Sequence, residues 1–227
     1  GGLGLTSVNQ YLPFAFAGAA AAAVLVHMMS RRSADSGPAR LVLAGVALGA
    51  SLSSITGTIT MYNSKIFDSY RFWVVGSLEN RKLEVLLWVA PFLAVGLVLA
   101  LASAHSLNAL ALGDEQATAL GVNLAVVRGV AFVALTLLCG AATAAAGPIS
   151  FIGLVIPHVV RLLVGADQKH LLAWSVVAGA GLLLAADVAG RLLIRPTELE
   201  AGIVTAFIGA PVLLVLAVTN RTNRRSA

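Results

Sequence analysis

The sequence predicts an all-α fold, a polytopic helical membrane protein whose spans pack as one bundle. Three observations carry this. The chain is 59% hydrophobic and only 11% charged, whereas a soluble domain has roughly a quarter of its residues charged. Several apolar runs approach the ~20 residues that cross a bilayer as helix. None shows the strict alternation of a membrane-barrel strand.

Seven spans follow in order: 11–29, 41–62, 84–104, 126–146, 148–164, 171–194 and 202–219. The links are short, so consecutive helices run antiparallel. Alternation puts 30–40, 105–125, 165–170 and the C-terminal tail on one face, with Arg31, Arg32, Arg40, Arg128, Arg161, Lys169, Arg221, Arg224 and Arg225. The other face holds Lys65, Arg71, Arg81, Lys82, Arg191 and Arg195. Loops on the cytoplasmic side carry the excess of Lys and Arg, so the first face is assigned to the cytoplasm. Tyr11, Tyr62, Tyr70, Trp73 and Trp88 fall at the opposite interface, as an aromatic belt does. The basic balance is therefore a matter of membrane sidedness and not a nucleic-acid footprint. The chain begins at Gly1 with no charged–apolar–small leader, so its natural N-terminus is expected to lie upstream.

The second span is the least apolar. Gly45, Gly49, Ser53 and Gly57 recur every four residues along one ridge, with Ser54, Thr56, Thr58 and Thr60 nearby. Small residues at this spacing let helices approach closely. Two readings stay open, a hydroxyl-lined path and helix packing alone. Loop 63–83 is too long for a plain turn. It carries Asp68, Arg71 and Trp73, and is expected to hold a short surface helix.

The stretch 107–126 has a polar centre, Gly113-Asp114-Glu115-Gln116, between two apolar runs. Asp114 can cap a short helix through its carboxylate. Glu115 and Gln116 suit the positive end of that helix. Gly121 can stop it in a left-handed conformation, and Asn123 can cap the next one. The stretch reads as two short helices folded back on each other at a membrane face. An ordinary interspan loop is the other reading.

The fourth span contains the one cysteine, Cys139, which can form no internal disulfide and reads as packing. The fifth span opens on Gly147-Pro148 and contains Pro157-His158. Its length falls short of the ~30 Å hydrocarbon thickness. Such a span is tolerated where protein surrounds it. His158 is either a path-lining, proton-handling group or a hydrogen-bonded packing residue. In the sixth span, Asp187 is the only intramembrane carboxylate. Arg191 follows four residues later on the same face, so the two can pair. Residues 197–200 can form one helical turn after Pro196. Gly209-Ala210-Pro211 is expected to bend the last span.

There is no phosphate-binding P-loop and no zinc-ligand spacing, nor a serine nucleophile elbow. One intramembrane carboxylate leaves an ion-coupled pump little to work with. No cofactor is expected.

Several runs carry a resemblance. They are 112–115 through 120–122, 146–149 with 151–154, 157–161, 185–187 with Arg191, and 204–211. In this order and spacing they resemble the iron-siderophore and vitamin B12 class of ABC importer permeases (the FecCD type). Residues 70–78 resemble the ferric-enterobactin permeases within it. The resemblance implies one transmembrane permease domain over 1–227, in a ten-span fold with the first three spans upstream. It implies a multi-pass protein of the cytoplasmic (inner) membrane, in contact with membrane lipid. It has no catalytic residues, since a separate cytoplasmic ATPase subunit hydrolyses ATP. The cargo would be ferric siderophore, haem or cobalamin.

The resemblance also implies residue roles. Gly113, Asp114, Glu115, Gln116, Ala117, Leu120 and Gly121 would form the coupling helices seated in the ATPase. Gly45, Gly49, Ser53, Thr56, Thr60, Pro157 and His158 would line the translocation path. Arg191 and Arg195 would meet a periplasmic or lipoprotein substrate-binding protein. A second permease subunit, identical or not, would complete the path. The rival readings are a seven-helix receptor or another non-ABC channel. The retinal version of the receptor is disfavoured because Lys65, Lys82 and Lys169 all lie outside the predicted spans.

Overall fold

The computed structural model describes residues 8–31, 38–62, 64–78, 83–193 and 199–223. Every regular element among them is a helix. In chain order these are α1 (Val8–Arg31), α2 (Pro38–Met61), α3 (Ser64–Val75), α4 (Leu83–Leu110), α5 (Asp114–Ala119), α6 (Leu124–Ala146), α7 (Ile152–Val164), α8 (Gln168–Leu193) and α9 (Ala201–Asn223). By length and composition α2, α4, α6 and α8 can cross a bilayer, and shorter apolar stretches occur in α1, α7 and α9. The seven predicted spans thus correspond to seven apolar helices. The surface helix expected in loop 63–83 is α3.

Side-chain burial is inverted relative to a soluble protein. The core is built of small residues, with Val89, Ala141 and Ala144 at one centre. Leu163, Phe207 and Leu162 are among the most exposed large side chains. Lipid is as apolar as leucine, so a bundle gains by close backbone approach and not by hiding large side chains. The α4–α6 contact shows how. A Cβ on Gly96 would lie 2.9 Å from Leu138 Cγ, so hydrogen alone lets the two helices meet. Phe16 of α1 stacks on Phe92 of α4 at 4.3 Å between centroids. A second centre, Ile156, Val160 and Leu171, joins α7 to α8.

At the end of the bundle where α4 starts, three chain segments cross with almost no side-chain spacer. Ser77 N–H donates to Ala146 carbonyl at 2.9 Å, and Gly202 N–H to Gly76 carbonyl at 3.0 Å. Gly147 has φ 80 and ψ 179, a region that only glycine enters readily. A Cβ there would also sit 2.4 Å from Trp73 carbonyl oxygen. α3 is therefore fastened at its C-terminus to α6 and α9. The aromatics Tyr62, Tyr70, Trp73 and Trp88 lie towards this end, and Tyr70 and Trp73 are 6.5 Å apart. The side chain of Tyr11 lies outside the described residues.

Several expectations are corrected here. The fifth span begins at Ile152 and not at Pro148. Residues 147–150 are non-helical, and Phe151 turns the chain at φ 69. Its 13 residues make ~20 Å of helix. The last span is one continuous helix, α9, with Pro211 inside it. Gly209 is small because Phe151 Cβ packs against it. The turn expected at 197–200 lies partly outside the described residues, and Leu199 and Glu200 are not helical.

Candidate functional site

At the opposite end of the bundle, α4 ends in the turn that leads to α5, and it is longer than a bilayer core requires. Its 28 residues make ~42 Å of helix against ~30 Å of bilayer core. Most of residues 111–123, which follow it, are exposed. After a turn at Ala111 and Leu112, Gly113 (φ 110) opens the six-residue α5. The helix closes on a glycine cap. Gly121 N–H donates to Thr118 carbonyl and Val122 N–H to Ala117 carbonyl, with Gly121 at φ 81. This is the paired arrangement of a Schellman motif. Asn123 Oδ1 then accepts from Ala125 and Val126 N–H at 3.1 and 3.2 Å and starts α6.

Gly121 and Asn123 act as expected, and two other expectations do not hold. Asp114 makes no side-chain cap, because Gly113 occupies that position. The Asp114 carboxylate instead takes Arg128 Nη2 at 2.7 Å on both oxygens. The stretch 107–126 also contains one short helix and not two, because 107–110 belongs to α4 and 124–126 to α6.

α5 is lightly held. Ala117 is 0% exposed and is its one buried residue among those described. Asp114, Glu115, Gln116 and Thr118 face solvent, flanked by Leu112 and Leu120 at 60% and 65% exposure. The Asp114 charge is partly balanced by Arg128, but Glu115 makes no ion pair or side-chain hydrogen bond among the described residues. α5 is thus a small acidic knob with apolar shoulders, anchored by one methyl group and one ion pair.

Beside it, the turn between α7 and α8 is fastened to α4. Asn108 Nδ2 donates to Asp167 Oδ1 at 2.7 Å, and Asn108 Oδ1 accepts Gln168 N–H at 2.8 Å. Asp167 Oδ1 also accepts Lys169 N–H at 3.1 Å, and Oδ2 meets His170 Nδ1 at 2.6 Å. The Asn108 bond, then the His170 and Lys169 bonds, hold the Asp167 carboxyl down at about 2.

The remaining predicted positions are spread along other helices. On α2, added Cβ atoms at Gly45, Gly49 and Gly57 would meet nothing within 4 Å. Among the described residues no helix covers that ridge, so packing between them does not account for it. Ser53 is exposed, and Thr56 returns its hydroxyl to Leu52 carbonyl at 2.9 Å. Thr60 is buried, with its hydroxyl on Gly57 carbonyl. On α7, His158 is exposed and Pro157 half-buried. α2 packs on α1 and α3, whereas α7 packs on α8 and α9. Arg191 pairs with Asp187 at 2.9 Å at the far end of α8. Arg195 lies outside the described residues. No group of three His, Cys, Asp or Glu placed to hold a metal occurs among the described residues.

The bundle, with its exposed knob between two long spans, coincides with a known family. The sequence profile of the FecCD transport family matches residues 2–219. The chain belongs to that family. It is 45% identical over 215 residues to the ferric enterobactin transport system permease protein FepD of Escherichia coli K12, a match covering 94% of this chain and 64% of that protein. It is 40% identical to the Fe(3+)-citrate import system permease protein YfmD of Bacillus subtilis 168, over 92% of this chain and 62% of the relative. It is 35% identical to the hemin transport system permease protein HmuU of Yersinia pestis, over 97% and 66%. Among solved structures, a metal-chelate-type ABC transporter in an inward-facing conformation superposes with a TM-score of 0.84. The two share 29% identity, over 94% of this chain and 68% of the other. The chain thus spans somewhat under two thirds of the length of FepD and YfmD.

Within this FecCD chain, sequence reasoning placed the knob but missed its supports. Arg128, Asn108, Asp167 and His170 were not singled out. Asp167 offered a signal, since an Asp a few residues ahead of an apolar helical run is a helix-start mark. The Asn108 and Arg128 contacts join residues 59 and 14 positions away, and no local pattern encodes them.

Proposed function

We propose that this chain is the transmembrane part of an ATP-binding-cassette importer subunit in the cytoplasmic membrane, with all 227 residues in one permease domain. Its cargo class is ferric siderophore, with haem and cobalamin as the neighbouring classes named for relatives. Gly113, Asp114, Glu115, Gln116, Ala117, Leu120 and Gly121 seat in a cytoplasmic ATPase subunit, which performs the hydrolysis. The observation that carries this reading is α5: an exposed acidic knob capped at both ends by glycine and standing clear of the membrane on an overlong span. A convex element held by so few contacts gains order from a concave partner, and its net negative surface selects a basic one.

The uncovered α2 ridge at Gly45, Gly49 and Ser53, with Thr56, supports a path or a contact with the second permease subunit. Pro157 and His158 border the same path from α7. Arg191 faces a substrate-binding protein on the outer side, with Asp187 holding its guanidinium in place. Alternating access then follows from rigid-body rocking driven through α5, with no chemistry on the cargo.

The test is reconstitution of the full-length protein with its partner subunits in proteoliposomes. ATP-dependent entry of radiolabelled ferric enterobactin, lost when the ATPase is omitted, supports the reading. A full-length protein that neither binds an ATPase subunit nor responds to nucleotide overturns it.

A further inference from the structure

We infer that Asn108 is a positioning residue that locks the start of α8 to the end of α4, so that a displacement of α5 carries α8 with it. This rests on the coupling role given to α5 above.

The geometry is specific. Asn108 lies six residues before α5, in the last turn of α4. Its two amide atoms are both spent on the α7–α8 turn, the nitrogen on Asp167 and the oxygen on the first backbone N–H of α8. Only one amide orientation satisfies a carboxylate and an N–H together, so the joint has a single closed state. Asp167 is at once the partner of Asn108 and the group that ties the α8 start, through Lys169 N–H and His170. Among the described residues, the side-chain hydrogen bonds that leave this turn for another helix all go to Asn108.

From this joint α8 runs 26 residues to the far end of the bundle. There it carries the Asp187–Arg191 pair, and Gly190 carbonyl accepts Leu199 N–H at 3.3 Å ahead of α9. Gly190 and Leu199 are also in close backbone contact. A push arriving at the end of α4 therefore has a hydrogen-bonded route into α8 and onward to the opposite face. Without Asn108 that route is reduced to side-chain packing along the shafts.

The test uses the full-length permease assembled with its ATPase subunit, in a Cys139→Ser background. Spin labels are placed at Ala111, in the turn before α5, and at Val188, on the far part of α8. Both positions are exposed. The readout is the spectral shift on adding a non-hydrolysable ATP analogue. With Asn108 present, both labels respond. In Asn108→Ala and Asn108→Asp the Ala111 response persists. The Val188 response falls about tenfold, the change that losing one charge-assisted hydrogen bond makes in a closed population. The exchange Asn108→Asp with Asp167→Asn rebuilds an amide–carboxylate pair and restores it.

An unchanged Val188 response in Asn108→Ala overturns the inference. So does an exchange variant that binds the ATPase and responds at Ala111 but leaves Val188 silent. A parent that responds at Ala111 and not at Val188 overturns the joint alone. A parent with no response at either label overturns the importer reading, and the coupling role with it.

Discussion

Glu115 and Asp114 are adjacent acids on the same short helix, and the structure gives them different jobs. The Asp114–Arg128 contact is short, but its side chains are about 55% and 56% exposed. An ion pair in that setting contributes ~0.2–1 kcal/mol. Asp114→Asn should therefore lower the seated population of α5 by at most about fivefold. Glu115 is the uncommitted charge, so replacing it by Lys changes an attraction for a repulsion at the proposed docking surface. Two rim-type charge terms amount to ~1–2 kcal/mol, which is roughly five- to thirtyfold in affinity for the proposed ATPase subunit. The loss should fall mainly on the association rate and shrink at high salt. Binding of the detergent-solubilised full-length permease to immobilised ATPase subunit, at low and high salt, measures this. Adding Arg128→Ala to Asp114→Asn should cost nothing further. Glu115→Lys binding at the parental rate in low salt, or Asp114→Asn costing more than Glu115→Lys, would refute the division of roles.

Three further outcomes follow from the geometry. Gly147→Ala introduces a side chain at φ 80 and against the Trp73 carbonyl; such backbone strain alone costs ~1–3 kcal/mol, so its thermal midpoint should fall well below that of Gly181→Ala, which meets nothing. Ala117→Leu overfills the one buried contact of α5, at ~1–3 kcal/mol, and should raise amide exchange over 114–119 while leaving α4 and α6 protected. Asp167 is held at about 2, below its ordinary 3.8, so it stabilises the folded state above pH ~4 and loses that contribution as pH falls towards ~2. Melting curves of Asp167→Asn should be flatter than those of the parent across that window.

The fold was readable from sequence where one local rule decides. Apolar length sets the spans, because in lipid only a helix satisfies its own backbone. The knob was readable for a similar reason. Glycine at a left-handed position and Asn before an apolar run mark helix ends by their own chemistry, and Gly121 and Asn123 do so here. Asp114 misled because two rules competed. Its carboxylate can cap a helix or pair with a cation, and Gly113 took the cap while Arg128 supplied the cation. The fifth span misled for another reason. Pro148 suits a first helical position, but the crossing of residues 76, 147 and 202 keeps that segment extended, and the turn into α7 is made at Phe151.

What the sequence withheld is the set of contacts between segments distant along the chain, and these contacts hold α5 and the end of α4 in place. α5 alone has six residues, too short to hold its own shape in water, where isolated helices of fewer than ~12–15 residues are marginal. Its caps fix its ends, Ala117 fixes its seat, and Arg128 fixes its rotation. A push on such a body is passed on only if its base is stiff, and the base is the end of α4. Asn108 ties that end to α8 through both of its amide atoms. The bonds that lower the Asp167 pKa favour its ionised form, the form that accepts from Asn108 Nδ2 and Lys169 N–H.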